Sequence, residues 1–393
     1  MNMQSRIVFL CGVIDEATRA GRRIAHANPA ATQKVINFCR ALLATGARPL
    51  VLSLGRGRQD GSGRSHPAFA KRVAGIPFVY ARFGHSPLAT HLISAASLVA
   101  LVLRLCRRGK LTLIAYNRLW HYVPALIIAR MLGARCCLDL EDGSVKRGRA
   151  AALRMFDRLA ALCFDALCSH GALLANKALQ AQTSIKRTLV WHGTMPGFGT
   201  LADWDARPLG VILGGTLNDE RGCGIFIEAV KLLMRQAPAM RQAMRFFVTG
   251  QGPMCPALEQ LAATSGGWVS FEGLVGRERS LQILRTCHVG LMLNLSSSDM
   301  SHTTFPSKVL EYAAAGLLVI STCVSDIPAL FENDAAVLLA DETPAALAAA
   351  LIKVCSAPGT AVETARRGRD RVRAACDPQR VANTITRFLD VRD

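Results

Sequence analysis

At 393 residues, with 51% hydrophobic side chains and 13 cysteines that never fall into a Cys-x-x-Cys or zinc-ligand spacing, the chain exceeds one ordinary core. Disordered, disulfide-framed and zinc-ribbon proteins are excluded, and the scattered cysteines read as small buried side chains in a reducing, cytoplasmic compartment. The formal net charge of +19 lies entirely in residues 1–200, which hold 28 Lys and Arg against 8 Asp and Glu, whereas residues 201–393 hold 19 against 20. A basic half calls for an anionic partner. Aromatic residues are sparse among its basic clusters and no zinc, helix-turn-helix or RNP-type motif is visible, so no nucleic acid is expected. An anionic membrane surface, peripherally bound at the inner leaflet, or an acidic acceptor fits better, with an arginine-rich composition on solvated faces as the plain alternative.

In chain order, RIVFLCGV (6–13) predicts a first core strand and not a signal peptide. A polar loop leads to a helix over ATQKVINFCRALLATG, and ARPLVLSLG is the next strand. Strand, helix, strand at this spacing opens a doubly wound parallel sheet. Residues 56–66 are rich in Gly, Arg and Ser and predict a mobile loop. IPFVYARF, LTLIAY and ARCCLDLEDG read as strands, the last ending in an acidic tip. The apolar stretch Leu88 to Cys106 contains His91, Ser94, Ser97 and Arg104, which predicts a buried or membrane-surface helix over a spanning one. A helix over 150–165, a strand at ALCSH and a last element at LVWHG close this half.

The pattern dissolves at MPGFGTLADWDAR, giving domains at 1–194 and 208–375, a linker at 195–207 and a closing helix at 376–393. The second half restarts the alternation with strands at GVILGG, MRFFVTG, VSFEG, VGLMLNL and LLVIS. The expected architecture is α/β, with two Rossmann-like doubly wound domains facing across a cleft. Ligands bind such sheets outside the carboxyl ends of the strands.

The stretch TTFPSKVLEYAAAGLLVIST (303–322) carries the chemistry. It predicts a helix from Ser307 to Ala315, capped by Thr303 or Thr304, with Pro306 in its first turn, Gly316 as a left-handed stop and a buried strand beyond. Lys308, Glu311 and Tyr312 are placed on one face. Free N–H groups at a helix start with Lys308 one turn in seat an anion such as a diphosphate, and Glu311 can accept from two ribose hydroxyls. The plain alternative is an i, i+3 ion pair on a solvated face. GGTLNDERG adds Gly214, Gly215, Thr216 and Arg221, and VTGQGP adds Gly250 and Gly252 without the third glycine of a dinucleotide fingerprint. At successive strand ends of one sheet, these loops predict a shared nucleotide-diphosphate site.

In this order and spacing, GGTLNDERG, VTGQGP, VSFEGLVG and FPSKVLEYAAAGLLVIS resemble the C-terminal domain of the retaining glycosyltransferases of family 4, which have the GT-B fold. Residues 208–350 carry the likeness, and the first half matches only through its opening unit, NPAATQKV and LVWHG. The resemblance implies a metal-independent enzyme without cofactor that moves a sugar from a nucleotide-sugar donor to a saccharide or lipid-linked acceptor in cell-surface polysaccharide synthesis. It puts Arg221 on the diphosphate, Glu311 on the ribose, the backbone of Phe305, Pro306 and Ser307 by the sugar and phosphate, and Leu274 beside the base. It departs from the family at Thr216 and Thr303, where an Arg and a Glu are usual; Lys308 supplies positive charge nearby. On the acceptor side it implies that the strand tip at Glu141 and Asp142 stands at the reacting carbon, with an acidic helix cap as the alternative and Tyr116-Asn117-Arg118 as the next candidate loop. His192 reads as a loop residue between domains. Asp203-Trp204-Asp205 has a metal-binding spacing but lies in the linker, so no metal is expected. A sugar-nucleotide epimerase and a non-catalytic nucleotide-binding scaffold are the competing readings.

Overall fold

The computed structural model describes residues 6–25, 28–55, 57, 60, 63–143 and 151–390. The chain forms two units: residues 1–194 with 378–393, and residues 195–377. Part of the 56–66 loop, and the first residue of the helix expected over 150–165, lie outside the described residues.

In the first unit eight strands form one sheet in the order β3-β4-β2-β1-β5-β6-β7-β8: β1 (Arg6–Cys11), β2 (Pro49–Ser53), β3 (Phe69–Val73), β4 (Ile76–Tyr80), β5 (Leu111–Tyr116), β6 (Arg135–Leu140), β7 (Ala172–Leu174) and β8 (Thr188–Val190). All neighbours are parallel except the β3–β4 hairpin. Strands buried on both faces cannot alternate, which is why β1 and β5 read as continuous apolar runs. The helix Pro29–Ala44 starts where Asn28 accepts from Ala31 N at 3.1 Å, and it buries Thr32, Val35, Ile36, Cys39 and Leu42 at helical spacing.

One expectation fails here, and one strand goes unread in the sequence. ALCSH is no strand, because the helix Ala151–Leu167 runs into it and the chain turns before β7 at Ala172. Hydrophobic patterning also passes over β3: its burial pattern is largely exposed, so it shows little of the apolar signal of a core strand.

In the second unit six parallel strands are ordered β11-β10-β9-β12-β13-β14: β9 (Leu209–Thr216), β10 (Met244–Gln251), β11 (Val269–Gly273), β12 (Cys287–Met292), β13 (Leu318–Thr322) and β14 (Val337–Leu339). Counted within the unit this is 3-2-1-4-5-6, with the switch in strand order between β9 and β12. Residues 195–207 are packed and not a free linker: Trp204 is buried in the core of this unit, His288 Nε2 lies 2.8 Å from the Asp203 carbonyl, and Gly199 N donates to Ala314 O at 2.7 Å. The helix Pro378–Asp390 belongs to the first unit, where Val381, Ile385 and Leu389 join the core around Phe9 and Phe38.

Candidate active site

The second unit gathers its loops at the switch point. β9 and β10 stay in register through Gly250 opposite Gly215 and Gln251 opposite Thr216. A Cβ on Gly250 would collide with the Gly215 carbonyl, and one on Gly252 with the Leu217 carbonyl, so these two are glycines because backbone passes over them. Gly214 serves a different purpose: its missing Cβ leaves room for the Tyr312 hydroxyl, 3.0 Å from where that atom would stand. Gly215 alone faces open space, at a φ of 124° that favours glycine. Beyond it Thr216 is exposed, Asn218 caps the turn Asp219–Arg221 by accepting from Arg221 N at 3.0 Å, and Gly222 begins the helix Cys223–Gln236 in the left-handed region.

The β12 loop closes on this turn. Leu295 N donates to Glu220 O at 2.9 Å, Ser298 Oγ to Glu220 Oε2 at 3.3 Å, and the Leu293 carbonyl occupies the place a Cβ on Gly222 would need. Residues Asp299–Thr303 then form a short helix of their own, and Phe305 and Pro306 make the bend into the helix Lys308–Ala314. This corrects the expected start. Ser307 stands at the cap without a side-chain hydrogen bond, neither Thr303 nor Thr304 caps, and Pro306 precedes the helix. The stop is as expected: Gly316 has φ 87°, its N–H reaches Ala313 O, and Leu317 N reaches Tyr312 O at 3.0 Å.

Tyr312 does not share the outer face. It is buried, its ring fills the space that Gly290 leaves on β12, and burial pushes its phenol pKa up. The missed signal was the pair of strand glycines, which make a socket for one aromatic ring. Tyr312 thereby anchors the helix, and Lys308 and Glu311 remain about one-third exposed, ion-paired at 2.6 Å. Among the predicted donor residues, Gly215, Thr216, Arg221, Phe305, Pro306, Ser307, Lys308 and Glu311 lie on the β9 and β12 loops and the helix that follows. Leu274 is 70% exposed beyond the edge strand β11, two strands from the switch point.

In the first unit the acidic tip after β6 is held by its neighbours. Asn117, at φ 56°, accepts from Glu141 N at 2.8 Å and Asp142 N at 3.2 Å and donates to Asp142 Oδ2 at 3.0 Å. Glu141 pairs with Lys34, whose ammonium also sits 4.3 Å from the centre of the Trp191 ring. Two residues before Glu141 and inside β6, Asp139 is buried beside the Glu141 carboxyl. Burial first, and the Glu141 charge second, hold its carboxyl well above the usual range. Lys34, Asn117 and Asp139 therefore belong with Glu141 and Asp142. Sequence alone separated Lys34 from them by more than a hundred residues, and alternation within LDLED was the one clue to a buried Asp139. Arg118 is structural, donating to Asp165 Oδ1 at 2.9 Å and Gln182 O at 2.8 Å, while His192 is half-buried. Asp203 closes its own turn by accepting from Asp205 N at 3.1 Å. Among the described residues no three His, Cys, Asp or Glu side chains are grouped to hold a metal ion.

A pair of doubly wound units with loops gathered at a switch point defines a fold class, and the structural neighbours within it are GT-B glycosyltransferases. Anabaena HepE in complex with UDP superposes with a TM-score of 0.67 at 15% identity over 98% of this chain and 99% of that one. The sucrose-phosphate synthase of Thermosynechococcus elongatus gives 0.68 at 17% identity over 98% of each. Residues 208–357 match the family model described as Glycosyl transferases group 1. The chain is 27% identical over 169 residues to the amylovoran biosynthesis glycosyltransferase AmsK of Erwinia amylovora, a match spanning 42% of this chain and 40% of that protein's length. It is 22% identical over 330 residues to one component of the phosphatidylinositol N-acetylglucosaminyltransferase of Arabidopsis thaliana, spanning 81% of this chain and 69% of that protein. The second unit thus carries a glycosyltransferase group 1 domain, and together with these relatives it supports a transferase.

Proposed function

We propose that the chain transfers a sugar from a nucleoside-diphosphate donor to a saccharide or lipid-linked acceptor, with retention of anomeric configuration as in family 4, in the synthesis of a surface polysaccharide or glycolipid. The observation that carries this reading is the convergence of the Gly215–Arg221 turn and the Lys308–Glu311 face on loops flanking the β9/β12 switch point. Arg221 and Lys308 would meet the charge that develops on the leaving diphosphate, and Glu311 would accept from the ribose hydroxyls. UDP is the first nucleoside diphosphate to test, because HepE binds UDP and UDP-glucose.

On the acceptor side, Glu141 and Asp142 would stand by the reacting carbon, with Asn117 fixing their backbone and Lys34 paired with Glu141. The test is a thermal-shift series with UDP, GDP and ADP, followed by donor-consumption assays. A ligand that binds only the folded state raises the melting temperature by mass action. A shift with one diphosphate and consumption of the matching sugar donor is expected; no shift with any of them would overturn the reading.

A further inference from the structure

Three neighbouring helices of the first unit turn apolar side chains to solvent. Along the helix Pro87–Cys106 the outer stripe reads Leu88, Leu92, Ala96, Val99, Ala100 and Leu103, with no charge until Arg104. The helix Val123–Met131 packs beside it and exposes Ile127 and Met131, the latter 76% open. Its other neighbour, Ala151–Leu167, exposes Met155, Phe156, Leu159 and Leu162, and the Trp120 and Phe156 rings meet at 4.9 Å, tilted by 43°. Scattered exposed leucines need no explanation, but an apolar stripe repeated on three adjacent helices does.

We infer that this helix layer is a docking face for one leaflet of an anionic phospholipid bilayer, with Leu92, Met131, Met155 and Leu162 entering the interface. Charge complementarity chooses the occupant. Between residues 87 and 167 the sequence carries twelve Lys and Arg against five Asp and Glu. Of those five, Asp139 and Asp165 are buried and Glu141 is paired with Lys34, so the outward charge is positive. A second copy of the chain would set one basic half against another. At the C-terminal end of the first helix, Arg104 and Arg108 join Arg6 and Arg48 around a cavity of about 460 Å³ floored by Leu101 and Leu105, a setting suited to a phosphate attached to an aliphatic chain.

The helix lies on the surface and does not cross it. Leu88–Cys106 is long and apolar enough to span, yet its inner side buries Leu98 and Val102, Ser94 Oγ donates to Arg82 O at 2.8 Å, and Thr90 Oγ1 donates to Gly84 O at 2.9 Å. One face packed on protein and one apolar face outward, edged with arginines, is the pattern of an interfacial helix.

This inference extends the proposed function by naming the surface on which a lipid-linked acceptor would be met, and its test is separable from that reading. Flotation of the full chain is measured with phosphatidylcholine vesicles, with and without phosphatidylglycerol, beside the triple variant Leu92→Gln, Met155→Gln, Leu162→Gln. All three positions are more than half exposed, so folding is spared. The parent should float only with the anionic vesicles and less at high salt, and the variant should lose at least about tenfold in partitioning. Its melting temperature and its UDP-induced shift should stay at the parent values. Equal flotation of variant and parent, no flotation of the parent, or a parent dimer that the variant abolishes would overturn the docking face. A missing nucleotide shift in the parent would instead count against the transferase and leave the flotation result standing.

Discussion

At the residue scale, the charged groups of the two candidate centres are arranged by opposite means. Lys308 and Glu311 are about one-third exposed and paired with each other, so exchanging that pair for a ligand costs little, since exposed ion pairs contribute about 0–1 kcal/mol. Glu311→Ala should therefore weaken nucleoside-diphosphate binding by roughly tenfold or more, the loss of charge-assisted bonds worth about 1.5–3 kcal/mol each, in calorimetry on a protein that melts normally. Unchanged affinity would remove Glu311 from the site.

Asp139 is the opposite case, a buried carboxyl whose folded pKa lies above its unfolded value. The folded state then holds this proton more tightly, so the stability it lends is complete below about pH 4 and is lost as pH rises toward the folded pKa. Asp139→Asn keeps the shape and removes the ionisation. The variant should melt above the parent at pH 7, with the gap closing near pH 4. A gap that is the same at both pH values would show that Asp139 does not carry the proton. Turnover separates the tip residues themselves: Asp142→Asn or Glu141→Gln should slow transfer at least about tenfold with donor affinity unchanged, because a group acting only in the transition state moves rate and not binding.

At the scale of elements, the strand–helix alternation was legible because doubly buried strands and amphipathic helices have separate periods, and the glycine stop at 316 was legible because only one backbone conformation fits there. The start of the helix at Lys308 was not. Thr303 and Thr304 looked like caps, but a short helix takes up Thr303 and the next helix begins only after Ser307, and local cap chemistry could not reveal that competition. The glycines of the β9 and β10 ends were legible as places of close approach, but not what approaches each: Gly214 gives way to Tyr312, and Gly250 and Gly252 to neighbouring carbonyls. A pair of substitutions distinguishes the roles. Gly250→Ala forces a side chain onto the Gly215 carbonyl and should cost more than the usual 1–3 kcal/mol or so of overpacking. Gly215→Ala, with open space around it, should cost only the backbone strain of a positive φ, about 1–3 kcal/mol, while reducing nucleotide binding. Comparable losses of melting temperature in the two variants would mean that the β9–β10 contact relaxes freely.

At the scale of the whole molecule, the group 1 match stops at residue 357, and the chain continues through the helix Pro358–Cys376 before Pro378–Asp390 supplies Val381, Ile385 and Leu389 to the first unit. Each such buried side chain contributes about 1.5–3 kcal/mol. Removing residues 378–393 should therefore lower the melting transition of the first unit and leave the UDP-stabilised transition of the second where it was, as read by calorimetry with and without nucleotide. A uniform loss across both transitions would contradict the assignment of that helix to the first unit.

That same segment sets an order of events on the ribosome. The first unit is made first but is completed last, because the side chains that close its core emerge only after residues 195–377 have been synthesised, roughly 10–40 s later at elongation rates of about 5–20 residues per second. During that interval the groove beside the helix Pro29–Ala44 stands open around Phe38 and Trp191, while the nucleotide-side unit can already mature. A nascent chain of this design presents a hydrophobic liability early and removes it only with the helix Pro378–Asp390, so its yield in cells should follow chaperone supply more closely than the stability of the folded protein would suggest.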